Sequence, residues 1–71
     1  MQELRATADA LLRAARQSQR VWIDYRRADA EATRREITVH KVQGQRVEAF
    51  CHLRGEERVF RIERIRVLGA P

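Results

Sequence analysis

Arginine dominates the chemistry open to this chain. Arg58, Arg61 and Arg64 are threaded through an apolar run that holds Val59, Phe60 and Ile62, with Ile65 and Val67 just beyond. A guanidinium is a permanently charged planar fork of donors that matches phosphate or carboxylate oxygens two at a time and also stacks on bases. Three of them converging at one rim would clamp a phosphate backbone, with aromatics taking the bases. A plainer arrangement competes with this one. Glu56, Glu57 and Glu63 are interleaved with the same arginines, and surface ion pairs of that kind contribute about 0–1 kcal/mol each. Spacing alone favours the ion pairs.

Other chemistry has less to stand on. Cys51, His40 and His52 are the soft ligands of the chain, with no Cys-x-x-Cys or His-x-x-x-His spacing. Cys51 and His52 are neighbours on an extended segment, so they point to opposite faces and make neither a metal corner nor a nucleophile–base pair. Cys51 reads as a small core residue. No glycine-rich phosphate loop is present, so the expectation is a protein that is not an enzyme and holds no cofactor. Trp22, Tyr25 and Phe50 each leave two readings open. Trp22 either packs under a helix or serves as a stacking platform or oligomer contact. Phe50 shares that ambiguity, and Tyr25 either points its hydroxyl into a pocket or sits at a barrel edge.

The elements that must position these residues follow from periodicity. Residues 2–19 carry Leu4, Ala8, Leu11, Leu12 and Ala15 at helical spacing, with Arg5, Asp9, Arg13 and Arg16 off that stripe. Asp9 and Arg13 form a possible i,i+4 pair. From residue 20 the pattern alternates. "RVWIDYR" sets Val21, Ile23 and Tyr25 against Trp22 and Asp24, and "REITVHKV" sets Ile37 and Val39 against Glu36, Thr38 and His40. "ADAEAT", 28–33, reads as the loop between them. Gln43-Gly44 turns into "QRVEAFCHL", where Val47, Ala49, Cys51 and Leu53 share a face, and "RGEE" turns again at Gly55. In the last run the apolar parity flips between Ile62 and Ile65, which a 3₁₀ turn at Glu63-Arg64 explains by spending an odd number of residues.

The order is thus one helix and four or five short strands, five when the last run is broken at the turn. That pattern is mainly β (α+β): an N-terminal helix, residues 1–19, then a five-stranded, strongly bent antiparallel small barrel over 20–68. At 71 residues the chain is expected to be a single domain, or a module of a longer protein. A domain of this size buries only about 60% of its unfolded surface.

The net charge is +5, and fourteen of the fifteen basic residues are arginine. A pI near 11.0 is the electrostatic footprint of a nucleic-acid binder, although charge alone argues attraction rather than a site. The lone cysteine and the lack of a long apolar run point to a cytoplasmic protein with no membrane partner.

"VEAFCHLRGEERVFRIERI", 47–65, resembles the C-terminal half of a WYL domain. That family carries an apolar-x-Ala-aromatic-Cys run, a turn, then Arg-x-Phe-Arg-Leu-Asp-Arg-Ile; here the second part stands as Arg58, Val59, Phe60, Arg61, Ile62, Glu63, Arg64, Ile65. Ile23 and Tyr25 match the family's first strand, and "RREITV" resembles its Arg-x-Val-x-Pro segment through Arg35 and Ile37. The tripeptide that names the family falls on Gln45, Arg46 and Val47, and its proline on Val39.

The resemblance covers roughly residues 20–68. It implies an Sm-like (SH3-like) barrel of bacterial transcription regulators, sometimes attached to helicase-type enzymes. Such a module senses a ligand or binds nucleic acid, single strands being favoured over a small anionic ligand. It shifts the weight toward a binding site at Arg61 and Arg64, with Arg35 and Arg58 beside them. The alternative is a structural module for homo-oligomerisation or for docking to the domains of a parent protein.

Overall fold

The computed structural model describes residues 2–27 and 31–69, with side chains from Arg5 onward. One helix, α1 (Gln2–Arg16), precedes strands β1 (Arg20–Arg26), β2 (Ala32–Gln43), β3 (Arg46–Cys51) and β4 (Glu56–Arg61). A 3₁₀ turn (Ile62–Arg64) then leads into β5 (Ile65–Gly69). The arrangement is mainly β with an α+β order, as expected. The helix stops three residues earlier than its pattern suggests, because Ser18 takes a positive φ of 52° that no helix continues. Leu4 lies outside the described side chains. The apolar face turns slightly from the expected stripe: Leu11 and Ala14 are buried, Ala8 and Ala15 pack at the margin, and Leu12 is only half-buried. Asp9 forms no ion pair among the described residues.

All neighbouring strands are antiparallel, in the order β4-β3-β2-β1-β5. Chain connectivity forces this sheet to curl. Laid flat, β4 and β5 would stand about 19 Å apart across four inter-strand gaps. The three-residue turn that joins them spans only about 6 Å at a 3₁₀ rise. The two outer strands must therefore swing toward each other, giving a small barrel-like fold. Two hydrogen bonds pin the junction: the Arg61 N–H donates to the Tyr25 hydroxyl at 3.2 Å, and the Ile62 N–H donates to the Gln45 carbonyl at 2.9 Å.

The concave face carries the core. Val21, Ile23, Ile37, Val39, Val47, Ala49, Cys51, Phe60, Ile62 and Ile65 are buried there, and Leu11 and Ala14 meet them from α1, which lies across β2, β5 and the turn. Complete burial of a side chain such as Phe60 or Ile23 stabilises by about 1.5–3 kcal/mol.

The expected loop at 28–33 falls partly outside the described residues, and its last two positions, Ala32 and Thr33, already belong to β2. β2 is longer than its pattern at both ends, by residues 32–34 and Gln43, and carries one bulge within it. Val39 pairs with Ala49 and Lys41 with Glu48, so His40 is an extra residue that returns Val42 to the core side. The expected turns form at Gly44 (φ 60°) and Gly55 (φ 68°), where a side chain would meet the left-handed penalty of roughly 1–2 kcal/mol.

Candidate functional site

The four arginines singled out from the sequence reach different environments. Arg58 faces inward on β4, opposite Ala49, and its Nη1 lies 3.6 Å from Glu56 Oε1. Arg61 closes β4 on the outer face and donates from Nε to Glu63 Oε2 at 2.7 Å. That hydrogen bond, reinforced by the opposite charge, raises the Arg61 guanidinium above its ordinary range and holds the Glu63 carboxyl below its own.

Arg64 ends the 3₁₀ turn with no carboxylate within ion-pair distance among the described residues. Arg35 is 3% exposed on the inner face of β2. Its guanidinium carbon lies 5.9 Å from the Tyr25 ring centroid and 6.0 Å from that of Phe60. Its Nη1 is 3.9 Å from Cys51 Sγ, and its Nε has no hydrogen-bond partner among the described residues.

Arg64 opens onto a concavity. A cleft of about 470 Å³ is lined by Asp24, Arg26, Arg27, Ala32, Glu63, Arg64, Ile65 and Arg66. Each element contributes for a local reason. The turn ends by delivering Arg64, and β5 places Arg66 opposite Asp24 of β1. The end of β1 supplies Arg26 and, one residue on, Arg27.

Both acids of the cleft are already engaged from outside it: Asp24 Oδ1 accepts from Arg34 Nε at 3.3 Å, and Glu63 accepts from Arg61. Arg26, Arg27, Arg64 and Arg66 therefore have no ion-pair partner among the described residues. Four like charges around one hollow raise the local potential and favour an anion there.

Sequence reasoning missed Arg26, Arg27 and Arg66. The doublet Arg26-Arg27 closing a strand was the available signal. What joins it to Arg64 and Arg66 is the β1–β5 pairing, between segments some forty residues apart.

The aromatic candidates separate as well. Tyr25 is half-buried and meets Phe60 edge-on, with centroids 4.8 Å apart and planes at 76°. Its hydroxyl takes the Arg61 N–H rather than facing a pocket. Phe50 lies on the outer face against the His52 ring at 5.0 Å. Trp22 is on the outer face of β1 and 37% exposed, so it is not under the helix. Cys51 is fully buried. His52 Nε2 bonds Thr38 Oγ1 at 2.8 Å and His40 Nε2 bonds Glu57 Oε2 at 3.2 Å. Among the described residues, no three side chains capable of holding a metal ion come together, and no helix is long and apolar enough to cross a membrane.

Comparison with known proteins places this geometry. A solved structure of proteasome accessory factor B/C (PafBC) of Arthrobacter aurescens matches with a TM-score of 0.83 at 23% identity, over 94% of this chain and 12% of that one. The likeness speaks for the fold, and the chain spans about 12% of that protein's length. No curated protein matches the chain. The family model of the WYL domain matches residues 6–69, which hold most of α1 and the whole sheet. The chain therefore belongs to the WYL-domain family.

Proposed function

We propose that this WYL domain is a non-enzymatic regulatory module that binds a phosphate-bearing ligand, single-stranded nucleic acid above all, in the cleft between β1 and β5. One observation carries the reading: four guanidiniums share a hollow whose two carboxylates are already taken by Arg34 and Arg61. Arg64 is the residue common to the cleft and to the set named from the sequence. Arg61 adds a fifth donor when Glu63 releases it. Arg35 and Arg58 face the concave side and do not line the cleft. Cytoplasmic action in transcription regulation fits a family module of this kind.

The test is a titration of labelled oligothymidylate at several salt concentrations. For a single strand, each neutralised phosphate contributes about −0.7 to the slope of log K against log salt, so four contacts give roughly −3. Arg64→Ala with Arg66→Ala should weaken binding and bring the slope to about −1.4. Affinity and slope equal to those of the parent chain would remove the cleft from consideration.

A second reading, self-association or docking to other domains, has its own observation. Val59 is half-exposed on β4, an outer strand of the sheet, and open edges of that kind recruit further strands. A concentration-independent dimer in light scattering, with no affinity for oligonucleotide, would favour it.

A further inference from the structure

We infer that Trp22 is a base-stacking platform next to the arginine cleft, so that the ligand is an extended single strand rather than a compact phosphate. The inference rests on the cleft reading above and adds to it a second, chemically different contact.

The geometry begins with a bulge. Trp22 pairs with Gly69 while Ile23 pairs with Val67, so Leu68 is an extra residue on β5. The bulge leaves Leu68 41% exposed beside the 37% exposed indole. Gly69, at φ +125°, has no side chain to lay over the ring, and a Cβ built there meets nothing within 4 Å. The result is an open hollow of about 400 Å³ lined by Trp22, Arg34, Leu68 and Gly69.

Burial does not account for this tryptophan, the only one in the chain, since the core is complete without it. Its position relative to the cations does. Trp22 and Asp24 point to the same side of β1 and stand about 7 Å apart along the strand. Asp24 lines the arginine cleft, Arg34 lines the indole hollow, and the 3.3 Å bond between them links the two hollows.

A strand whose phosphates sit among Arg26, Arg27, Arg64 and Arg66 thus brings a neighbouring base over Trp22, with Arg34 at its edge. Every base has a π-face, so such a contact is tolerant of sequence. The net positive cleft selects a polyanion over an apolar peptide for this otherwise uncovered surface.

The experiment compares two probes, a labelled oligothymidylate of about eight nucleotides and inorganic pyrophosphate. In the parent chain the oligonucleotide should quench the single tryptophan's fluorescence and pyrophosphate should not. Trp22→Ala should weaken oligonucleotide binding about tenfold while leaving pyrophosphate binding unchanged. Trp22→Phe should recover most of the loss, which a merely structural defect would not allow.

Oligonucleotide affinity unmoved in Trp22→Ala overturns the platform, and the cleft survives if Arg64→Ala with Arg66→Ala still weakens both probes. Loss of a dimer in Trp22→Ala, with unchanged oligonucleotide binding, assigns the surface to a second copy and also overturns it. If neither probe binds the parent chain, cleft and platform fall together.

Discussion

Arg35 is a cation taken into the interior with no counter-charge among the described residues. Its fork lies against a contacting pair of aromatic rings and beside a thiol, and its Nε is unpartnered among the described residues. Ring faces attract a cation, worth about 2 kcal/mol when desolvated, whereas removing a charge from water costs several kcal/mol. An apolar side chain of similar length should therefore do better. Arg35→Met is expected to raise unfolding stability by about 1 kcal/mol, read from the midpoint of a urea titration; a fall would mean that the rings more than offset the desolvation. The sequence marked Arg35 through its resemblance to the family. That it faces inward follows from its parity with Ile37 and Val39, which was legible. Its solitude was not, because that depends on which carboxylates the curled sheet brings near.

Among elements, the 3₁₀ turn explains most. The parity flip between Ile62 and Ile65 announced it, and the turn occupies Ile62–Arg64. It sets Arg61 and Glu63 two residues apart on one bend, close enough for a 2.7 Å bond. Since the Glu63 carboxyl is held below its ordinary value, its ion pair contributes fully above the unfolded pKa of about 4.3. That contribution is lost as pH falls through the lower, folded value. The Glu63 side-chain carbon signal should thus titrate below the ordinary glutamate range, and in Arg61→Ala it should move back up toward it. A Glu63 midpoint the same in both chains would show that the bond does not persist in solution. The two bulges, at His40 and Leu68, left no mark in the apolar alternation strong enough to read. Each spends a single residue, and Leu68 sat in a run too short to show a period. The platform at Trp22 depends on one of them.

For the molecule as a whole, size sets the margin. A chain this short holds about 3–5 kcal/mol of net stability, and Phe60 is the largest side chain fully enclosed among the described residues. Phe60→Ala should cost about 3–5 kcal/mol, enough to abolish a cooperative melting transition in circular dichroism. A variant that still melts cooperatively within a few degrees of the parent would show that the core closes without it. Helix, strand order and core face were readable because periodicity encodes them locally. The cleft was not, because its arginines come from segments that meet only after the sheet has curled.

The short link between the two outer strands also fixes an order of events. β1 borders β5, the final strand, so its second partner is not available until more than forty further residues have been synthesised. On a ribosome, α1 through β4 can emerge as a meander with one flank of β1 bare. Only when Ile65–Gly69 clears the exit tunnel can the sheet gain its last strand, and the same moment assembles the hollow of arginines. Competence to hold a ligand should therefore arrive late and all at once.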